Sequence, residues 1–530
     1  MEFVEARGRA NLFQLMSESG KRSFAENPLW ALALIGVPLF AGLWGGALYI
    51  DDAYITFRYA AKIASGAGFV YNSEPVLGTT APLYCLLLAM LKMVGIPITS
   101  SALAIGVLSA GAAPIVLWRI GTRAGMARMG LVAGLCLAFF PHWWLNSKTG
   151  METTFAGMLA VLAVFLYVRR HAAWCGFVCS LLVLTRPDTA TLPVLVFVLY
   201  LLTDRKRAVR FALAGLPLVV GWTAYAWSVF GSPLPQSLAA KSLIHYFPWQ
   251  KSLAHYMGWF FAIEEPAGMA FFTGAFLAGA VLIAFRWREA LPAALWPPIF
   301  IGGLVATEVG PFFWYKVPVL PVMLVPAVYL FYYLGEGLRE RWQDATEMKR
   351  RLAGAVMVVP LVVTAVQAGL AAPWFTGPER MERYVEKERI FFEMAEEIKM
   401  SAADRGIPLS EVTVLAGEVG VLGYALLPAR VIDSAGINSA EVYELRKIDW
   451  EEYQSAHKGA GWEEMWWGTP EWPAKLIREE RPHYIASNID YLHLRKISAK
   501  EWFRDGYSFV RSWKNEVGDV FMLVSRKAGK

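Results

Sequence analysis

Two adjacent carboxylates, Asp51 and Asp52, stand where an apolar run from Pro28 to Ile50 ends, and they open the stretch DDAYITFRYA. An ionised Asp at mid-bilayer costs about 2.5–3.5 kcal/mol on insertion scales and less at the interface, so both belong at the rim, facing a polar cavity or water. A helix over 52–64 puts Asp51 and Arg58, seven residues apart, on one face. Asp52 then points elsewhere, because neighbours on a helix diverge by about 100°. In the plainest reading Asp51 is the N-cap of that helix, which leaves its neighbour free for chemistry. More charged residues sit in short polar segments further on: Glu152 beside Lys148, Arg186 with Asp188, Lys241, and Lys316. Carboxylates accept protons and cations neutralise growing negative charge, so one face carries the parts of a reaction on a charged substrate. Each has an ordinary alternative. Arg186 and Asp188 can pair at a helix break, Lys241 can snorkel, and Glu152 can complement a helix dipole. Lys316 opens a helix at its N-terminal end, where its charge opposes the dipole, and that misfit favours function. Asp51, Asp52 and Glu152 lack the spacing of a metal site, so no metal or other cofactor is expected; a divalent cation would have no support from the spacing.

Apolar helices must position these groups. The chain has 530 residues, 56% hydrophobic and 18% charged, where a soluble domain carries about 25% charged. Runs at 29–50, 100–118, 129–145, 153–168, 173–184, 189–202, 209–230, 267–285, 291–306, 316–334 and 352–372 predict about eleven membrane helices. The run 82–96, closed in by Pro82 and Pro97, is short for a crossing and reads as juxtamembrane or re-entrant. The first run is too long for a signal-peptide core and reads as an uncleaved helix. With the N-terminus inside, the basic clusters at 119–128, 169–170, 205–210, 286–288 and 339–351 all fall on the cytoplasmic side. They account for the net charge of +6, and no block resembles a nucleic-acid arm.

The expected organisation is mainly α. A cytoplasmic segment spans 1–28. A polytopic transmembrane bundle spans 29–372, with a first outer loop at 51–96. An extracytoplasmic α/β domain spans 373–530. In that last domain Glu379–Met400 has helical spacing, and Val412–Ala416, Arg430–Asp433 and His483–Ala486 read as strands. Gly417, Gly420 and Gly423 fall short of a dinucleotide fingerprint. The four cysteines (85, 136, 175 and 179) lie in apolar segments and read as buried packing. His142, Trp143 and Trp144 fit an outer interfacial belt. The loop 231–266, with Pro233, Pro235, His245, Tyr246, Phe247, Trp249, His255 and Tyr256, covers either the active site and lipid tail or the membrane surface.

An ordered set of motifs resembles a known family. DDAYITFRYA is followed by Gly66-x-Gly68-Phe69-Val70-Tyr71-Asn72 and Gly78-Thr79-Thr80-Ala81-Pro82. Then come Ser147-x-x-Gly150-Met151-Glu152, Leu184-Thr185-Arg186-Pro187-Asp188, Gly231-Ser232-Pro233-Leu234-Pro235-Gln236, Tyr315-Lys316-Val317-Pro318 and Arg430-Val431-Ile432-Asp433. Over roughly 30–440 this resembles bacterial GT-C glycosyltransferases of the mycobacterial terminal arabinofuranosyltransferase type. The family often has Arg where Tyr315 or Lys316 stands, and Lys cannot make the two-pronged phosphate contact that Arg makes. The resemblance implies sugar transfer from a polyprenyl-phosphate donor to a glycan, lipid or protein acceptor outside the cytoplasm, with inversion, in the inner membrane of a bacterium. It implies a first-loop Asp as base, Asp51 or Asp52, with Asp51 favoured by position. It implies Arg58, Arg186, Lys241 and Lys316 as candidate donor-phosphate ligands, and Tyr54, Tyr59, Glu152, Asp188 and Asp433 as substrate contacts. Two other classes compete: a secondary transporter or flippase-like carrier, which the broken helices suit but the one-sided charges do not, and a non-catalytic assembly partner.

Overall fold

A computed structural model describes residues 25, 27–44, 46–244, 248–258, 266–308, 310, 312–342, 346–376, 378–456 and 469–528. The apolar part runs through α1 (Leu29–Leu43), α2 (Asp51–Ala64), α3 (Pro82–Met93), α4 (Ile98–Arg123), α5 (Ala127–Phe139), α6 (Pro141–Asn146), α7 (Thr153–Val168) and α8 (Ala172–Thr185). It continues through α9 (Thr191–Thr203), α10 (Arg205–Phe230), α11 (Gln236–Ile244), α12 (Trp249–Gly258), α13 (Pro266–Arg286), α14 (Leu291–Ala306), α15 (Leu320–Arg341) and α16 (Glu347–Thr376). Among the described residues five helices are long and apolar enough to cross a membrane: Ile98–Arg123, Arg205–Phe230, Arg288–Ala306, Leu320–Arg341 and Glu347–Gly369. Large apolar side chains such as Leu213, Leu216, Val220, Leu277, Phe285 and Val362 lie exposed on these helices and on α13. An apolar surface that broad belongs in lipid rather than water.

Several helices stop short of the expected crossing, and each stop has a local cause. The 29–50 run is helical only to Leu43, and Trp44 turns extended with ψ 130. The 129–145 run divides at Phe140, whose ψ of 111 precedes Pro141 and starts a separate helix, α6. Arg186, at φ −151 and ψ 110, separates α8 from the 3-10 turn Pro187–Ala190. The 316–334 run begins with the 3-10 turn Phe313–Lys316, and regular α15 starts only at Leu320 with Pro321 in its first turn. Irregular backbone at such depth is tolerated only where protein or a polar cavity satisfies it.

The helices approach each other closely through small residues. A Cβ at Gly176 would overlap the backbone of Phe211, and one at Gly279 would overlap that of Pro326, so these crossings of α8 with α10 and α13 with α15 require glycine.

The remainder is α17 (Pro378–Asp404), β1 (Thr413–Ala416), α18 (Gly420–Ala425), β2 (Arg430–Asp433), α19 (Ala440–Ala456), α20 (Glu471–Glu480), β3 (Tyr484–Asn488), β4 (Tyr507–Lys514) and β5 (Val520–Arg526). The strands form one sheet in the order β2-β1-β3-β5-β4. β1 is parallel to both β2 and β3, while β5 is antiparallel to β3 and β4. The three expected strands are all present. The β4–β5 hairpin was not expected. β4 is an edge strand carrying Arg511, Ser512 and Lys514, a polar pattern that protects an edge and hides it from an apolarity search.

The two faces of this sheet have different partners, as the period of two requires. Leu415, Ile432, Ile485 and Val524 pack on Trp472, Ile477, Leu494 and Phe503. Val414, Ala416, Val431, Tyr484 and Leu523 face the other way. They join one core with Ala53, Phe57 and Tyr59 of α2, Tyr84 and Leu88 of α3, and Phe391, Met394 and Ile398 of α17. The first loop and the C-terminal sheet are thus halves of a single hydrophobic core.

Candidate active site

The turn at 147–152 anchors the start of α2. Leu48 and Ile50 donate backbone hydrogen bonds to the carbonyls of Lys148 and Thr149, at 2.9 and 3.2 Å. Gly150 holds φ +78, and a Cβ there would press on Phe57 and Tyr49 at 2.9 Å. Glycine meets both demands, and the turn delivers Glu152 to the edge of the site.

The two first-loop carboxylates then diverge. Asp51 is buried at 7% exposure. Its Oδ2 and Oδ1 accept the backbone N–H groups of Gly420 and Val421 at 2.9 and 2.8 Å. Its own N–H donates to Glu388 Oε1 at 3.0 Å. It therefore caps α18, on the other half of the core, rather than its own helix. Burial and the Glu418 carboxylate push its pKa well up, and Lys387 opposes them. Burial likewise raises Glu388, to about 7. Arg58, expected on the same face as Asp51, also points to the C-terminal half. Its Nε donates to the Tyr71 carbonyl at 2.7 Å, and Nη2 donates to Asn72 Oδ1 and the Ala429 carbonyl at 3.0 and 2.8 Å. Nη1 donates to the Gly423 carbonyl, and the guanidinium lies 4.5 Å from the Tyr71 ring centroid. Arg58 is fully buried. Its donors are committed to protein carbonyls and an amide oxygen, so it is an internal clamp and not the phosphate ligand expected from the sequence.

The glycine triplet has the same explanation. A Cβ at Gly417 would overlap Ser487, one at Gly420 the Asp51 carbonyl, and one at Gly423 the Tyr71 hydroxyl. Packing of β1 against β3 accounts for Gly417, and close docking of the first loop on α18 accounts for Gly420 and Gly423, with no nucleotide needed.

Asp52 faces the bundle. Its Oδ2 meets Lys241 Nζ at 3.2 Å, with the two side chains 30% and 19% exposed. Lys241 lies 5.3 Å from the Phe312 ring centroid and 6.0 Å from that of Tyr315. The other face of this group belongs to Arg186, 5.6 Å from the Tyr315 centroid. Arg186 Nη1 meets Glu152 Oε1 at 2.9 Å and Nη2 meets Asp188 Oδ2 at 2.6 Å. Burial disfavours the Lys241 charge, but Asp52 and Tyr315 outweigh it and hold its pKa above the ordinary value. Burial raises Glu152, against the pull of Arg186. Lys316, buried at 3%, stands 5.4 Å from the Tyr256 ring centroid. Asp52, Lys241, Arg186 and Asp188, from three separate segments, therefore surround Tyr315 at the breaks in the apolar helices, with Glu152 behind Arg186. Asp52 and Asp188 are its more accessible acids.

The other expected contacts serve the join between the halves. Tyr54 packs edge-on with Tyr49, Phe57 and Phe392. Tyr59 is fully buried and its hydroxyl donates to the Val76 carbonyl at 2.6 Å, with Asn438 Oδ1 3.1 Å away. Asp433 accepts from the backbone N–H groups of Ala435 and Asn438, both at 2.8 Å, and so shapes the loop that meets Tyr59. His142 Nε2 bonds the Phe313 carbonyl at 2.9 Å, beside the Tyr315–Lys316 turn. Of the loop 231–266, His245, Tyr246 and Phe247 lie outside the described residues. Within that loop, Gln236 ties its N–H to the Leu77 carbonyl at 2.8 Å and its Nε2 to the Gly436 carbonyl at 2.5 Å. Glu388 and Gln236 were not singled out in the sequence. Gln236 lies in a quoted motif, but Glu388 lies in an ordinary amphipathic helix and gives no signal.

No protein-family model matches this chain, and no curated protein matches it significantly. Solved structures do. ArnT from Cupriavidus metallidurans, in a crystal structure bound to undecaprenyl phosphate, superposes with a TM-score of 0.55 at 14% identity, over 96% of this chain and 99% of ArnT. The Archaeoglobus fulgidus oligosaccharyltransferase, tethered to an acceptor peptide, gives 0.56 at 11% identity, over 95% of this chain and 74% of that one. The mycobacterial arabinofuranosyltransferase AftD gives 0.51 at 15% identity, over 94% of this chain and 41% of AftD. All three are GT-C glycosyltransferases, and this chain has the GT-C fold.

Proposed function

We propose that this chain is a multi-pass membrane glycosyltransferase of the bacterial inner membrane, moving a sugar from a polyprenyl-phosphate donor to an extracytoplasmic cell-envelope acceptor. The Asp52–Lys241 pair carries this reading: an acid 30% exposed sits directly against a cation within a GT-C fold. Undecaprenyl phosphate bound to ArnT supports a donor of that kind.

In the proposed reaction the donor phosphate draws Lys241 away from Asp52. The Asp52 carboxylate accepts the acceptor hydroxyl proton within hydrogen-bond reach, about 2.6–3.2 Å. The hydroxyl oxygen bonds to the anomeric carbon as the carbon–phosphate oxygen bond breaks, and that electron pair stays on the phosphate. Lys241 and Arg186 are the cations available to the departing charge, and Glu152 and Asp188 orient Arg186. A single displacement inverts the anomeric centre. Asp51 is left out of the chemistry because its carboxylate already holds two backbone N–H groups.

The test uses purified protein in proteoliposomes with a radiolabelled polyprenyl-phosphate sugar and envelope extract as acceptor. Label should move to the acceptor with release of polyprenyl phosphate and an inverted linkage. Donor movement across the bilayer without cleavage would replace this reading with the carrier.

A further inference from the structure

On the face of the sheet turned away from α2, the end of α20 meets β4 and β5 around a pocket of about 130 Å³ lined by Arg478, Arg481, Trp502, Tyr507 and Arg526. That is smaller than the roughly 300 Å³ or more of an ordinary small-molecule site, and suits one compact group. Three arginines line it, from two elements and the turn between α20 and β3. The two acids at the end of α20 pair elsewhere, Glu480 with Arg430 at 2.5 Å and Glu479 with Lys475 at 4.0 Å. Among the described residues none of the three arginines forms an ion pair with an acid. Arg478 Nε donates to the Ala474 carbonyl at 3.2 Å with its guanidinium 5.2 Å from the Trp502 ring centroid. Arg526 Nη1 donates to the Arg481 carbonyl at 2.6 Å. These contacts hold the guanidinium planes and leave further N–H groups open. Arg481 itself sits at φ +45, a backbone conformation uncommon for a side chain of its size. A helix C-terminus favours a cation there, and Arg526 from β5 meets it with one of its donors, at the Arg481 carbonyl.

The geometry points to an anion-recognition site on the C-terminal half that takes a phosphate- or carboxylate-bearing saccharide unit of the acceptor. Paired guanidinium forks match the oxygens of either group, and Trp502 gives a flat apolar edge beside them. The identity of the bound material as acceptor rests on the proposed glycosyl transfer. The binding itself does not. The site lies across the sheet from Asp52, so it holds a distant unit of an extended acceptor and not the reacting hydroxyl.

The test is equilibrium binding of glucuronate, glucose 6-phosphate and glucose to the full chain in detergent, for wild type, Arg478→Gln/Arg526→Gln and Asp52→Asn. Wild type and Asp52→Asn should bind both anionic sugars saturably and at least tenfold more tightly than glucose. The double glutamine variant should lose that preference while keeping its melting temperature. Arg478→Lys/Arg526→Lys should recover only part of it, because Lys lacks the fork. Flotation with vesicles of phosphatidylglycerol or phosphatidylcholine separates the other source of the same chemistry. If the arginines discriminate between these vesicles but not between the sugars, the site reads lipid headgroups and the inference is overturned. Equal sugar binding by wild type and the glutamine variant also overturns it. Loss of sugar transfer in Asp52→Asn with anion binding intact separates the two claims.

Discussion

Asp52 and Lys241 lie 189 positions apart and meet at 3.2 Å, joining the first residues of α2 to a short helix that follows α10. A part-exposed pair of this kind is worth about 0–1 kcal/mol to stability, so the fold does not depend on it. Lys241→Met should therefore leave the melting temperature close to wild type. It should lower sugar transfer by about 10²–10³-fold if the cation meets the departing phosphate. Thermal denaturation in detergent alongside a transfer assay reads both.

Arg58 gives the opposite expectation. Removing it leaves the carbonyls of Tyr71, Gly423 and Ala429 buried without this donor, at about 1–3 kcal/mol for each orphaned group. Arg58→Met should lower stability by several kcal/mol and reduce the yield of folded protein, and a variant with full stability would show that the clamp is not needed. Gly420→Ala belongs with it, because the new methyl would overlap the Asp51 carbonyl, a backbone contact that cannot move aside cheaply.

Glu388 sets the pH dependence of the joint. Its folded pKa is raised from 4.5 to about 7, with burial the main cause. A carboxyl raised on folding favours the native state while protonated, and that advantage is lost as pH climbs through the folded pKa. Stability should accordingly fall between about pH 4.5 and 7, by an amount on the order of 3 kcal/mol from this group alone. Asp51, also raised, acts in the same direction. Glu388→Gln keeps an acceptor for the Asp51 N–H and should flatten the melting temperature over this range. A wild-type melting temperature that rises from pH 5 to 8 would contradict this reading.

Topology offers an independent check. The basic clusters place the N-terminus inside, so a reporter fused after Lys530 should score extracytoplasmic. A cytoplasmic score would put the C-terminal half, and the acids it contacts, on the wrong side of the membrane.

The helices and the direction of the polar residues were legible because both are local properties. Seven-residue spacing put Asp51 and Arg58 on one face, and both reach α18, through Gly420 and Val421 and through Gly423. The divergence of Asp52 from Asp51 was legible in the same way. What each face meets was not, since the partner of Asp51 lies 369 positions away. Position in the loop favoured Asp51 as base, but only tertiary contacts show its carboxylate holding two backbone N–H groups and that of Asp52 meeting Lys241. The last 158 residues read as an ordinary soluble domain, yet half of their sheet completes a core begun by α2 and α3. Composition does not carry that information: a residue buried against another domain looks the same in sequence as one buried within its own. Breaks at Phe140 and Arg186 fell one residue before a proline, as the restriction on pre-proline backbone requires.

The most direct measurement compares Asp52→Asn and Asp51→Asn in proteoliposomes, reading initial rates of transfer from a polyprenyl-phosphate sugar and melting temperatures together. The account predicts that Asp52→Asn loses about 10²–10⁴-fold in rate at unchanged stability, as loss of a general base does, while Asp51→Asn loses stability first. Transfer at the wild-type rate by a folded Asp52→Asn protein would contradict it.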